Sequence, residues 1–203
     1  MRALIQIQNA DREFLGSLAG TMAEAARRSG EWLVCRPGCT ECCIGPFAIT
    51  QLDALRLRAG LAGLAKTDPV RAAAVRARAV DYVAAIAPLY PGDPATGELR
   101  DENGLPPEMD EMPCPALDPE TGWCDLYDAR PVTCRTFGPV TKVEEQTLVA
   151  CELCYAGATD EEMARCAVEF DTDGRENELL DALEAEGCQG MTIVACALAV
   201  PVT

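Results

Sequence analysis

Histidine is absent from all 203 residues. Its absence removes imidazole metal ligands, Ser-His and Cys-His nucleophile pairs, and the side chain best suited to moving protons near neutral pH. Positive charge is scarce as well: 17 Lys and Arg stand against 33 Asp and Glu, a formal charge of −16. That balance opposes the phosphate neutralisation on which general nucleic-acid binding depends, and it disfavours anionic membrane surfaces, so neither is an expected partner. No run approaches the ~20 apolar residues that span a bilayer. The opening MRALIQIQNADRE has too short an apolar core for a secretory signal, and the expected location is cytoplasmic.

What the chain does have is enough apolar residue, 49%, to bury a core without covalent help, and twelve cysteines. In a reducing compartment that many thiols are costly to leave unused, because each invites oxidation or stray metal. Coordination is the expected use. Without imidazole, a metal must be held by sulfur, carboxylate, backbone or an outside ligand, and soft sulfur favours iron-sulfur clusters, zinc or Cu(I) over Mg²⁺ or Ca²⁺.

Periodicity and capping signals predict a mainly α protein: a single domain over 1–203 with little β structure around an irregular cysteine-rich core at 35–154. An amphipathic helix is expected over 9–29, capped by Asn9, with Phe14, Leu15, Leu18 and Met22 on one face and Arg27 and Arg28 before Gly30. Thr50 with Asp53 opens a helix, and Asp68-Pro69 opens an Ala-rich second one to about Pro88, together a helical hairpin. Residues 91–113, rich in Pro, Gly and acid, read as a surface loop or lid rather than core. A short strand is expected at 147–150. Over 156–203 the expectation is a helix from Thr159 to about Phe170, another over 175–186, and then the apolar run MTIVACALAV as a buried strand. EFDTDGRENELL resembles a calcium loop in its acids, but Leu180 stands where a bidentate Glu is needed, so it reads as a helix–helix turn.

The chemistry concentrates in two groups of cysteines. The first is CxxxCxxCC: Cys35, Cys39, Cys42 and Cys43, on a loop that turns through Pro37 and Gly38. Adjacent residues point ~100° apart on a helix and to opposite sides of a strand, so Cys42 and Cys43 are expected to serve two metals, or different irons of one assembly. The second group is Cys114, Cys124, Cys134 and Cys151, which supplies sulfur enough for two four-cysteine sites. Thiolate sites of this kind carry net negative charge and want cationic neighbours; Arg36, Arg130 and Arg135 are placed in sequence to provide it, unless Arg130 merely pairs with Asp125 or Asp128. Trp123 and Tyr127 are expected to be core residues shielding the site. For Cys154, Cys166, Cys188 and Cys196 the expected role is that of a small buried apolar side chain.

CxxxCxxCC, then CPAL, then GWCDLYDARPVTCRTFG and a later cysteine resemble the YkgJ-type CxxCxxCC family of zinc- or iron-chelating proteins, a domain also found in flagellin lysine N-methylases. The likeness runs over residues 35–154. It is most specific at Cys124, Tyr127, Arg130, Pro131, Cys134 and Arg135. It departs in the first gap, which is three residues here where some relatives have two. The resemblance implies a metal site more firmly than a reaction.

The expected function is therefore an iron-sulfur protein, with a [4Fe-4S] cluster and a redox or protein partner. A zinc-stabilised, noncatalytic interaction module is the alternative, and a methylase-like metal-dependent enzyme is a third. CxxxCxxC is also the cluster motif of radical S-adenosylmethionine enzymes, but the chain lacks the alternating strands and helices of their barrel. Cys114-Pro115 resembles the Cys-Pro that ends bacterial ferredoxin motifs. Zinc ribbons show paired CxxC knuckles, and only Cys151 to Cys154 has that form.

Overall fold

The computed structural model describes residues 2–36, 38–101, 104–143 and 147–200; Pro37, expected at the turn of the first cysteine loop, lies outside the described residues. In chain order the elements are α1 (Arg2–Ser29), β1 (Ile49–Thr50), α2 (Gln51–Thr67), α3 (Pro69–Ile86), β2 (Gly92–Asp93), β3 (Glu98–Leu99) and α4 (Val132–Thr136). There follow β4 (Thr141–Val143), β5 (Thr147–Val149), α5 (Asp160–Cys166), α6 (Arg175–Ala185), β6 (Met191–Thr192) and α7 (Val194–Ala199). Helices dominate and among the described residues no strand exceeds three residues, so the fold is mainly α.

Several helix starts follow from local chemistry. The Thr50 side chain accepts the Asp53 N–H at the head of α2, and Asp68 accepts the Arg71 N–H at the head of α3 with Pro69 beside it. Thr159 and Glu162 form a reciprocal capping box on α5. Two boundaries differ from expectation. Helix α1 begins at Arg2 rather than Asn9, because Ile7 extends the buried stripe of Phe14 and Leu18 towards the N-terminus. Helix α5 stops at Cys166 rather than near Phe170: Ala167 is extended, and Val168 bridges Thr141 in parallel.

The chain forms two compact units, each assembled from two stretches. The first unit comprises Met1–Pro37 and Val132–Gly187. Here α1 packs against α4, α5 and α6, and the β4–β5 hairpin pairs Thr141 with Val149. Its small core of Val140, Cys151, Cys154, Tyr155 and Cys166 is joined by Trp32, Leu33 and Cys35.

The second unit comprises Gly38–Pro131 and Cys188–Thr203. The α2–α3 hairpin and α7 enclose Ile49, Leu57, Leu61, Val75, Ala79 and Leu198, and a four-stranded sheet runs in the order β1-β6-β3-β2. Two expectations are corrected here. Only Met191–Thr192 of the apolar run is strand, and Val194–Ala199 is helix. A run buried on every side has no periodicity to separate the two, and Ala and Leu favour the helix. The stretch 91–113 is no mere surface loop either, since Leu99 and Met109 are buried with Tyr82, Ile86 and Ile193.

Candidate metal centre

The two units divide the cysteines differently from the two sequence groups. Cys35, Cys134 and Cys151 lie in the first unit, and Cys39, Cys42, Cys43, Cys114 and Cys124 in the second. All twelve cysteines are thiols.

In the second unit the backbone brings two distant segments together. Cys42 and Cys43 sit on a 3-10 turn, Glu41–Cys43, closed by the Cys43 N–H to Thr40 O at 2.8 Å. Cys43 O then accepts the Cys114 N–H at 2.7 Å, and Ile44 bridges Pro113. Residues 114–125 fold back on themselves: Leu117 bridges Cys124, Asp118 N–H donates to Trp123 O, and Asp125 N–H to Ala116 O. Cys124 is thereby returned towards Cys114, while Thr40 of the first loop rests near Gly122. Cys39, half-buried, is carried by that same loop.

The thiols feel one another. The Cys43 thiol donates a hydrogen bond to the Cys42 sulfur, so the tight turn makes converge two side chains that would diverge on a regular helix or strand. That bond, helped by the positive charge of Arg130, holds Cys42 below the ordinary thiol range against the effect of its burial. Cys43 is pushed far up by the same bond, by burial, and by the charges of Cys42, Cys114 and Cys124. Burial drives Cys114 up to about 12, although the N–H groups of Ala116 and Leu117 face its sulfur. Cys124 is raised by burial too, with the Leu126 N–H and Arg130 opposing. Four sulfurs in one another's field resist ionising together, and a cation among them reverses that preference.

Arginines that the sequence did not single out brace this loop. Arg71 and Arg78, seven residues apart and hence on one face of α3, both pair with Asp125, whose carboxylate is 2% exposed. Arg78 reaches Asp125 at 2.6 Å and also donates to Pro115 O at 2.9 Å, tying the segment after Cys114 to the residue after Cys124. The only sequence signal was Arg in an Ala-rich helix. Asp125 is thus engaged by α3, whereas Arg130 stacks over the Tyr127 ring at 3.5 Å and donates to Tyr127 O. Gly60 of α2 seats that segment, because a Cβ there would collide with Ala129.

Trp123 and Tyr127 are not the buried shields expected of them: they are 52% and 49% exposed. The fold of 114–125 is held by backbone pairing and the Asp125 clasp, which leaves both rings at the surface. Arg36 is exposed in the first unit, and Arg135 lies half-buried on α4 of that unit. Cys154, Cys166 and Cys196 are buried as expected, and Cys188 is half-buried.

Among the described residues no three Cys, Asp or Glu groups stand at the spacing that holds a metal ion. The donor chemistry of the second unit nevertheless fits a soft cation: thiols held together by backbone pairing, three of them raised chiefly by burial and the hydrogen bond between neighbours, with an arginine beside them. No helix among the described residues is long and apolar enough to cross a membrane. A family model named for the CxxCxxCC pattern, with the description "Putative zinc- or iron-chelating domain", matches residues 34–155, more than half of the chain. No curated protein and no solved structure gives a significant match.

Proposed function

This chain belongs to the CxxCxxCC family, and from that premise we propose that it is an iron-sulfur protein whose principal centre is held by Cys42, Cys43, Cys114 and Cys124, with Cys39 in the adjoining loop. The observation that carries the reading is the backbone pairing that joins the vicinal pair to Cys114 and returns Cys124 towards it. Neighbouring ligands suit an assembly of several iron atoms, each sulfur on its own iron, better than one tetrahedral ion. Such a cluster would supply one-electron redox chemistry. The chain's own contribution is to gather the thiols, place Arg130 near Cys42 and Cys124, and hold the loop against α3. Cys35, Cys134 and Cys151, the other proposed ligands, lie in the first unit, and the expected partner is a redox protein.

Anaerobic purification followed by metal and sulfide analysis tests this reading. A brown protein with iron and acid-labile sulfide supports it, and a colourless protein with stoichiometric zinc overturns it. The latter outcome would favour a zinc-stabilised interaction module, a reading supported by the exposed Trp123 and Tyr127, since aromatic residues at a surface are what protein partners grip.

Two predictions arise from the site. Thiols raised above their ordinary value of 9.0 keep their protons in the metal-free chain at neutral pH, and a metal must displace them. Affinity is therefore expected to rise with pH below 9, by roughly two to three tenfold steps per pH unit when two to three protons leave. The same shift makes the metal-free fold lose stability as pH climbs past the ordinary thiol value, because the unfolded chain then ionises first. Calorimetry in buffers of different ionisation enthalpy counts the protons, and a pH-independent affinity contradicts the prediction. Separately, Asp125→Asn weakens both arginine contacts and is expected to speed metal loss to a chelator by about 10- to 100-fold. An unchanged release rate would show that the clasp does not act on the centre.

A further inference from the structure

The loops that gather the thiols of the second unit also present a surface of one charge. Segments 38–50 and 104–131 carry eight Asp and Glu and a single cation, Arg130. Asp125 is neutralised inside by Arg71 and Arg78. Glu41, Glu108, Asp110, Glu111 and Glu120 stand exposed, and none of the five makes an ion pair among the described residues. Backbone contacts set these segments side by side. Gly45, at φ +80, donates its N–H to Met112 O at 2.9 Å, and a Cβ there would lie 3.0 Å from Asp110 O. A Cβ on Gly122 would lie 3.6 Å from Thr40 Cγ2, which sets the turn before Trp123 against the start of the same loop.

Three large apolar side chains stand out of this acidic ground: Ile44, Trp123 and Tyr127, which are 44%, 52% and 49% exposed. Each sits on a segment that is held in place. Ile44 bridges Pro113, Trp123 O accepts the Asp118 N–H at 2.8 Å, and Arg130 stacks on the Tyr127 ring. All three also adjoin the thiols: Ile44 follows Cys43, Trp123 precedes Cys124, and the arginine on Tyr127 acts on Cys42 and Cys124. Single exposed apolar residues need no explanation, but anchored rings grouped at one place lose little freedom on binding and are what interfaces grip.

Charge decides what docks there. Carboxylates around the apolar anchors repel an acidic surface and attract a basic one, and the formal charge of −16 steers encounters in the same sense. We infer that Ile44, Trp123 and Tyr127, with the carboxylates around them, form a docking surface for a basic protein, one whose contact face is rich in lysine and arginine. The rings supply the grip, and the carboxylates supply orientation and speed. A small, salt-sensitive interface of this kind suits partners that meet briefly, as electron-transfer proteins do. The inference rests on the proposed centre for the partner's redox role alone; the docking itself does not depend on which metal is bound.

The test uses the full-length metal-loaded chain with ferricytochrome c, a basic redox protein, as the probe, and calorimetry at about 20 and about 200 mM salt. Binding is expected at the lower salt and about 10-fold weaker at the higher. Trp123→Ala and Tyr127→Ala are each expected to weaken binding about 10-fold while circular dichroism and metal content stay at wild-type values. Should Tyr127→Ala lose metal along with the Arg130 stack, Trp123→Ala decides alone. Glu41→Gln with Glu120→Gln is expected to weaken binding by a similar factor. Glu161→Gln with Glu184→Gln makes the same change of charge at exposed helix positions of the first unit and is expected to shift it less than about twofold. Equal loss from the two pairs of substitutions, no loss in Trp123→Ala, or no binding at the lower salt overturns the docking surface. A colourless, zinc-bound chain that still binds through Trp123 removes the iron reading alone, and an iron-loaded chain indifferent to all of these substitutions removes the docking surface alone.

Discussion

Cys124→Ser is expected to reduce metal in the principal centre to about a tenth of the wild-type content or less, because a serine hydroxyl is a hard donor that keeps its proton where a thiol gives it up. The substitution is close to isosteric, so the Leu117–Cys124 bridge and the Leu126 N–H remain available. What disappears is the soft ligand. Anything that binds only the folded state stabilises it by mass action, about 4 kcal/mol at a ligand concentration a thousand times the dissociation constant. The variant should therefore melt well below the metal-loaded wild type yet close to the metal-free wild type. Metal analysis paired with thermal melts of both forms checks this. A variant that keeps its full metal content would remove Cys124 from the ligand set, and with it the convergence on which the centre was built.

The second large effect is on the scaffold. Asp53 and Arg56 pair at 2.6 Å on α2, and both side chains are only 4% exposed. Asp53→Ala strips a buried guanidinium of that carboxylate and is expected to cost about 3–5 kcal/mol, the usual consequence of breaking one side of a buried pair. At roughly 2–4 °C per kcal/mol for a chain of this size, the melting temperature should fall by about 10 °C. Replacing both residues by apolar ones of similar volume should recover most of the loss, because the expense of burying the charges disappears with them. A single variant that melts within a degree or two of the wild type would show that the pair is incidental. Since α2 carries Gly60, against which Ala129 seats, this loss of stability should also slacken the segment bearing Arg130.

The local parts of this fold were readable from the residues. Thr50, Asp68-Pro69 and the Thr159–Glu162 box each announce a helix start, because a cap is a contact between residues three apart and needs no knowledge of the rest. The cysteine spacing pointed in the same way to the zinc- or iron-chelating family whose model the chain matches. What stayed hidden was nonlocal. Nothing in CxxxCxxCC says that Cys35 belongs to a different unit from Cys39, and nothing in an Ala-rich helix says that Arg71 and Arg78 will meet one aspartate some fifty residues on. Trp123 and Tyr127 misled because aromatic residues beside cysteines suggest burial, whereas the loop is closed by backbone pairing that leaves their rings outside. The misread C-terminal run has the same origin, since an uninterrupted apolar stretch tells that it is buried and not how it is coiled.

The chain passes from one unit to the other after Pro37, returns after Pro131, and crosses again after Gly187. Neither unit is a contiguous segment, so a fragment cut to residues 34–155 would contain most of the sulfur ligands and complete neither body that carries them. Order of synthesis is constrained in the same way. Helix α7, buried from Val194 to Leu198 and packed against α2 and α3, is made long after Cys114 and Cys124, which pack on the same core. During translation Cys114 and Cys124 therefore lack that cover until residues 194–199 emerge. Oxygen or an unwanted metal would find them in that interval.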